Sequence, residues 1–335
     1  MIVKRTKTAN QKIFRDGAPS TLFLGDCMEL IKSLPDESVD LVITSPPYFM
    51  GKEYDRSYNI SDFQSDHEKL APEIARVVKQ GGHICWQTGF HVRNGSVIPL
   101  DALVYAAFSK QSDFVLRNRI IWTFGHGAHC QTRFSGRHET ILWFSKGNDY
   151  RFNLDAIRVP QKYPGKRHYR GPKKGEFSGN PEGKNPGDVW DIPNVKANHI
   201  EKTSHPCQFP VALVQRLVKA LSMKNELVLD PYAGTASCGV AALLENRRFI
   251  GAEISAEYAQ IGKKRLNETL KGKIQHRPLE RPVHKPDGNE AVAQKPDHFW
   301  SNLSEEERFN GEKTISNGKK ARPERDIKDL SVYPD

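Results

Sequence analysis

The sequence predicts an α/β fold, a seven-stranded and mostly parallel sheet with helices on both faces, and two observations carry that expectation. Short apolar runs of strand length alternate with amphipathic stretches of helical spacing from Thr21 to about residue 270. Two motifs rich in Pro, Gly and hydroxyl groups begin where such runs end, at Thr44 and at Asp230. In a parallel sheet these positions fall on the carboxyl edge, where ligands bind.

In chain order, TLFL (21–24), DLVI (40–43) and HICW (83–86) read as buried strands. CMELIKSL (27–34) has helical spacing, and so does the stretch around Leu70, Ile74, Val77 and Val78, where Pro72 leaves the extent of the helix open. FVLRNRIIW (114–122) and HETILWFS (138–145) form an antiparallel pair closing the sheet edge, with a polar loop at the tip. Residues 146–205 lose clear periodicity. Order resumes with a helix carrying Leu213, Val214, Leu217, Val218 and Leu221 on one face. The strand ELVL (226–229), a Gly-containing turn, a helix near 237–245, the strand RFIGAEI (248–254) and a helix through Tyr258 and Ile261 then make a βαβ unit. Residues 271–335 are rich in Lys, Glu, Pro, Asn and Asp, and a largely disordered tail is expected.

With 335 residues, 37% of them hydrophobic, the chain has room for one large α/β domain with insertions or for two modest domains. Its mean hydropathy of -0.62 is that of a water-soluble protein. A formal charge of +10 favours a polyanionic partner over a merely solvated basic surface. The basic start MIVKRTKTANQK has no apolar run behind it, so no secretory signal is read, and no later run is long enough to span a bilayer. A cytoplasmic place near the nucleoid and no membrane partner are the expectation. Cys27, Cys85, Cys130, Cys207 and Cys238 are scattered and never form C-x-x-C, which excludes a disulfide framework or a zinc ribbon and suggests reduced thiols. His126, His129 and Cys130 lack a fourth ligand at a recognisable spacing, so no metal is expected.

The chemistry sits in the two edge motifs. In Thr44-Ser45-Pro46-Pro47-Tyr48, the consecutive prolines hold the backbone extended and remove its N–H donors. What remains is a rigid run of acceptors followed by an aromatic ring. An exocyclic amino group needs such a place, because its lone pair is delocalised into the base. If the Ser45 hydroxyl and the Pro46 carbonyl each accept one N–H, the nitrogen gains sp³ character and its lone pair is released. Tyr48 would stack on the base once that base is flipped out. Alone, the motif is equally an ordinary Pro-Pro turn ending a strand. In Asp230-Pro231-Tyr232-Ala233-Gly234-Thr235-Ala236-Ser237, Gly234 permits close backbone approach, Thr235 or Ser237 can cap the following helix, and Asp230 can receive an ammonium. Glu253, ending the next strand, is placed to accept from ribose hydroxyls. A nicotinamide site would use similar logic, but G-x-G-x-x-G is absent.

TSPPY, a basic variable region, KTSHPCQFP and DPYAGTAS, in that order, resemble the β group of exocyclic-amino DNA methyltransferases, the N4-cytosine and N6-adenine family, over roughly residues 20–270. The resemblance implies a Rossmann-like S-adenosylmethionine-dependent fold. A catalytic half (20–145), a DNA target-recognition insertion (146–205) and a cofactor half (206–270) would follow one another. It implies Ser45, Pro46, Pro47 and Tyr48 as catalytic residues, and Asp26, Thr203, His205, Asp230, Tyr232, Gly234 and Glu253 around S-adenosylmethionine. Residues 202–210 would close over the methionine moiety, and Ala236 stands where the family commonly has glycine. Double-stranded DNA is the implied substrate, with a cognate restriction endonuclease and a homodimer as further partners. Ser before Pro-Pro leans toward N4 of cytosine, with N6 of adenine as the alternative.

Residues 161–187 hold seven Lys and Arg against two Glu, interleaved with Tyr163, His168, Tyr169 and Phe177. That mixture favours nucleic acid over a passive linker, with Lys162, Arg167, Arg170, Lys173 and Lys174 as DNA contacts. Three rival readings are less well supported by the residues. Pro206-Cys207 and Glu245-Asn246 are similar to cytosine-C5 methyltransferase motifs, but Cys207 precedes the cofactor loop instead of following it. A catalytically inactive nucleic-acid-binding protein is opposed by the intact motifs. An RNA substrate is opposed by the large basic insertion.

Overall fold

The computed structural model describes residues 2–4, 17–47, 59–125, 127, 129–283 and 290; Tyr48 and His126 lie outside them. In chain order the elements are β1 (Ile2–Lys4), β2 (Ser20–Leu24), α1 (Cys27–Ser33), β3 (Val39–Thr44), α2 (Ile60–Val77) and β4 (Val78–Thr88). There follow β5 (Phe90–Arg93), β6 (Ser96–Pro99), α3 (Leu100–Phe108), β7 (Phe114–Thr123), β8 (His138–Lys146), a 3-10 turn at Asp155–Ile157 and β9 (Val189–Asp191). The chain closes with α4 (Val211–Leu221), β10 (Leu227–Asp230), α5 (Ser237–Leu244), β11 (Arg248–Glu253) and α6 (Ala256–Leu270).

The main sheet runs β1-β2-β11-β10-β3-β4-β8-β7-β9, and β5 pairs with β6 in a separate hairpin. All seven expected strands are present, but the sheet is larger than expected: three-residue strands β1 and β9 extend its two edges, parallel to β2 and β7. Only β8 runs against the other strands of this sheet, pairing antiparallel with β4 and β7.

Side-chain alternation sorts the strand residues into two cores. Leu22, Leu41, Ile43 and Cys85 face α4, α5 and α6 on one side, while Phe23, Val42, Ile84 and Trp86 face α1, α2 and α3 on the other. Helix α2 begins at a capping box of Asn59 and Asp62 and passes through Pro72 without ending. Pro72 lies on the exposed face, where water can take up the lost hydrogen bond, while Leu70, Ala71, Ile74 and Val77 are buried on the other.

Three features of the structure bear on the expected boundaries. Residues 20–145, 146–205 and 206–270 all belong to one unit that reaches Arg281, and the third part shares the central sheet with the first. Ile157, Trp190, Ile192 and Val195, inside the expected insertion, are buried in the core. Order also extends past residue 270: the Arg277 N–H donates to buried Glu201 (3.0 Å), and Ile274 and Leu279 pack on the core. The rest of the expected tail, apart from Glu290, lies outside the described residues from position 284 onward.

Between the antiparallel bridges Val159↔Lys184 and Arg167↔Phe177, the basic stretch folds into a finger. Its rungs include His168 N–H to the Glu176 carbonyl (2.9 Å) and Ser178 N–H to the Lys166 carbonyl (2.9 Å). Local pairing therefore organises a stretch whose sequence showed no periodicity.

Candidate active site

Chain order reverses between β10 and β3. From β10 the chain leads through α5 to β11 on one side, and from β3 through α2 to β4 on the other. The crevice that this switch opens at the carboxyl edge holds a pocket lined by residues of both motifs: Ser45, Pro46 and Pro47 from the first, and Asp230, Tyr232 and Gly234 from the second. Asp26, His205 and Glu253 complete the set of expected residues on its wall.

The two motifs are joined below the pocket. Thr44 Oγ1 donates to Asp230 Oδ1 at 2.6 Å, and the Tyr232 N–H donates to the same oxygen at 3.1 Å. Asp230 is buried, and its desolvation pushes the carboxyl up to about 7 despite those two hydrogen bonds. A cationic ligand would offset the cost of its ionisation.

Glu253, at the end of β11, is held by both oxygens. Oε2 accepts the Gly234 N–H at 2.8 Å and Oε1 accepts the Ser255 N–H at 2.7 Å. Burial raises its pKa and these backbone donors oppose the rise. Each carboxylate oxygen has a second lone pair, so the fixed group can still accept from a ligand diol. Beside it Ile254 exposes 73% of its surface on the pocket wall, an apolar patch suited to an aromatic face. Asp26 caps α1 by accepting the Met28 N–H at 2.8 Å, which fixes a second acceptor at the rim.

Gly234 has φ +51°, and a Cβ there would stand 3.3 Å from His205 Nε2. A larger residue would be strained as well as crowded. Ala236 takes the helix N-cap position with φ 58°, in the left-handed region that glycine tolerates best. Neither Thr235 nor Ser237 caps α5. Their oxygens instead receive the buried Arg265 Nη1, from Thr235 O at 2.6 Å and from Ser237 Oγ at 2.9 Å.

His205 stacks edge-on with Tyr258, ring centroids 4.6 Å apart, and burial lowers its pKa to about 4, so the ring is neutral at pH 7. Thr203 stands behind the wall. Its N–H and hydroxyl both donate to Gln208 Oε1, at 3.0 and 2.7 Å, and Gln208 Nε2 donates to the Glu201 carbonyl at 2.7 Å. Gln208, which the sequence did not single out, is thus the anchor of the 202–210 segment and lines the pocket itself. Cys207 is exposed and lines the pocket.

A second cavity meets the first along Ser45, Cys207, Gln208 and Phe209. Its wall includes Gln87 from the end of β4, the aromatic rings of Phe90 and Trp122, and Glu139, to which Gln87 Nε2 donates. Gln87 and the β5–β6 hairpin gave no signal in sequence, because both become functional neighbours only when β4 lies beside β3. Lys162, Arg167, Arg170, Lys173 and Lys174 are exposed on the finger and line neither cavity. There Arg167 covers Phe177 at 4.0 Å, Lys162 covers Tyr163 at 5.4 Å and Arg170 covers Tyr169 at 5.5 Å. Among the described residues no cluster of ligating side chains suits a metal ion, and no helix is long and apolar enough to cross a membrane.

A fixed diol acceptor, an apolar patch beside it and a buried carboxylate fit a nucleoside that carries an amino-acid end. Comparison with known proteins agrees. The DNA methylase family profile, named for N6 and N4 methyltransferases, matches residues 39–264. The type II methyltransferase M.BglII of Bacillus subtilis is 46% identical over 241 residues, covering 72% of this chain and 67% of that one. The DNA adenine methyltransferase YhdJ of Escherichia coli is 31% identical over 252 residues, covering 74% and 82%. The crystal structure of a protein described as a DNA modification methylase from Thermus thermophilus, complexed with S-adenosyl-L-methionine, superposes with a TM-score of 0.54. It is 29% identical and covers 78% of this chain and 99% of that one.

Proposed function

The chain belongs to the DNA methylase family of exocyclic-amino methyltransferases, with S-adenosylmethionine as cofactor, and from that premise we propose how its own residues perform the reaction and on which base. One observation carries the proposal: Ser45, the first residue of the acceptor motif, lines both cavities, with Pro46, Pro47 and the Glu253 wall on the side of the first and the Gln87 wall on the side of the second.

In this reading the cofactor pocket is the first cavity, with Glu253 receiving the ribose hydroxyls, Ile254 against the adenine and Asp230 and Asp26 among the acceptors for the remaining polar groups. When bound, the cofactor supplies an electrophilic methyl group on a sulfonium. The target base enters the second cavity, and Ser45 Oγ and the Pro46 carbonyl accept its two amino hydrogens, so that the nitrogen lone pair faces the methyl. Tyr48, next in sequence, completes the motif by stacking. Neutral His205 adds no positive charge beside a cationic sulfonium. Transfer would be in line, the N–C bond forming as the S–C bond of the sulfonium breaks and the displaced amino proton passing to solvent, with no covalent enzyme intermediate.

Double-stranded DNA is read by the finger, with Lys162, Arg167, Arg170, Lys173 and Lys174 on its phosphates and the stacked aromatics presented between them. Ser at the first motif position supports N4 of cytosine. The similarity to a protein named as an adenine methyltransferase supports the second reading, N6 of adenine. A cognate restriction endonuclease, as the type II name of M.BglII suggests, a homodimer and a nucleoid location complete the proposal.

Labelled S-adenosylmethionine and unmodified DNA, digestion to nucleosides and mass spectrometry test it. N4-methylcytosine is the expected product; N6-methyladenine would select the second reading. 5-Methylcytosine, or no product on any DNA, would overturn both, and methylome sequencing of an expressing host then gives the recognition site.

A further inference from the structure

The described residues of the loop between β7 and β8 (124, 125, 127 and 129–137) form one lip of the second cavity through Gly127, Cys130, Arg133 and Gly136. Its base is tied down: the Phe124 N–H donates to the Arg137 carbonyl at 3.1 Å, and the Cys130 N–H donates to Ser135 Oγ at 3.0 Å. Gly136 lies so close to Phe90 that a Cβ would come within 2.4 Å of its ring, and Arg133 reaches over that ring at 5.9 Å.

From this anchored lip Phe134 projects with 100% of its surface exposed, more than any other large hydrophobic side chain among the described residues. The bulky exposed aromatics of the finger, Tyr163, Tyr169 and Phe177, each carry a basic group over the ring. Single exposed apolar residues are ordinary on a protein surface and need no role. This one combines full exposure, an anchored mount and a place beside the cavity that opens onto Ser45, with Arg133 adjacent for a phosphate.

A base cannot reach Ser45 while stacked in a duplex, and extruding it costs a few kcal/mol of stacking and pairing. Proteins that open base steps commonly insert Phe, Leu, Ile, Met or Pro to hold the gap. We propose that Phe134 is a wedge that enters the duplex beside the target and takes the space of the extruded base. The proposal rests on the reading of the second cavity as the base pocket. It makes Phe134 a positioning residue, which touches DNA and not the reacting atoms.

The test is single-turnover methylation by the full chain on two substrates bearing its recognition site, one fully paired and one with the target base opposite an abasic position. Flipping is followed separately by 2-aminopurine fluorescence at the target. Phe134→Ala is expected to lower the rate on paired DNA by about tenfold or more, since it removes the filler of the gap. It should dim the fluorescence rise, leave cofactor affinity and melting temperature unchanged, and come within about threefold of wild type on the unpaired substrate, where the extrusion cost is smallest. Phe134→Leu should retain most of the rate on paired DNA. Equal rates for wild type and Phe134→Ala on paired DNA, or equal impairment on both substrates, would overturn the wedge and leave the proposed chemistry standing. A wild type that methylates neither substrate would instead remove the proposed function, and the wedge with it.

Discussion

The cofactor wall and the basic finger are built in opposite ways. On the wall, Asp230 and Glu253 are committed: each holds two hydrogen bonds from the chain, and the Thr44 to Asp230 contact ties strands 186 residues apart in sequence. On the finger, the basic side chains are exposed, and three of them rest on aromatic rings that are themselves exposed. A ligand of constant shape rewards a site whose geometry is fixed in advance, since little ordering remains to be done on binding. A long polyanion rewards reach and charge, because most of its affinity is electrostatic and insensitive to the last ångström.

Chemistry and cofactor binding should separate at the seam of the two cavities. In the proposed reading Ser45→Ala removes one acceptor for the amino group and leaves Glu253, Ile254, Asp230 and Asp26, the proposed cofactor contacts, in place. Methyl transfer should fall by about 10²–10³, the range for loss of one preorganised polar contact to the reacting group. The cofactor dissociation constant, read by calorimetry, should stay within about twofold of wild type, well below the tenfold that 1.4 kcal/mol would produce. Glu253→Ala should show the reverse, weakening the cofactor by about tenfold or more because the Gly234 and Ser255 N–H groups lose their acceptor as well. If both variants lose turnover alike and bind alike, the wall and the motif are not separate devices.

A second prediction uses the charge buried under the seam. Asp230 has a folded-state pKa near 7, raised chiefly by burial, against an ordinary value of 3.8. Between those values the folded state holds a proton that the unfolded chain has released. The cofactor-free protein should therefore lose stability as pH rises from about 4 to about 7, and no further from this group above that. Asp230→Asn keeps an oxygen for Thr44 and Tyr232 but removes the charge. Its melting temperature without cofactor should exceed that of wild type at pH 8 and converge with it near pH 4, while its cofactor affinity falls. An unchanged pH profile would show that Asp230 is already ionised and compensated in the cofactor-free protein.

What could be read in sequence divides along the same line. The seven long strands were legible because buried parallel strands announce themselves as apolar runs, and the two motifs were legible because Pro-Pro and Asp-Pro-x-x-Gly stand at their ends. Strands β1 and β9 were not, since three residues carry no periodicity and Val189–Asp191 acquires its meaning only by lying beside β7. Helix α3, LDALVYAAF, is apolar around most of its circumference and so shows no stripe to detect. The capping box that starts α2, at Asn59 and Asp62, lies upstream of the stretch around Leu70 whose spacing marks the helix. Among the residues on the cavity walls, Ser45, Asp230 and Glu253 were legible because each stands at or just past the end of a strand. Gln87, Gln208 and Ile254 were not, because their part depends on neighbours brought from elsewhere in the chain. Arg265 between Thr235 and Ser237 is the same case: the hydroxyls suggested a helix cap, and Arg265 from the distant α6 instead donates to the Thr235 carbonyl and to both hydroxyls.

The smallest effect sharpens the other half of the comparison. If the finger binds DNA by reach and charge, then Lys173 and Lys174, exposed where it turns near Gly171 and Gly175, each displace one condensed counterion from a phosphate. Changing both to Gln should lower the salt slope of log affinity by about 1.8, at about 0.9 per phosphate contact on duplex DNA. Affinity at low salt should drop for every sequence tested, and the ratio between recognition site and unrelated DNA should barely move, because phosphate contacts carry no sequence information. Methylation at saturating DNA should be unchanged, since neither lysine lines a cavity. Fluorescence anisotropy across a salt series measures the slope directly. A slope equal to that of wild type would move the phosphate track off the finger, whereas a lost preference for the recognition site would mean that these lysines read bases and that the finger is as finely fitted as the wall.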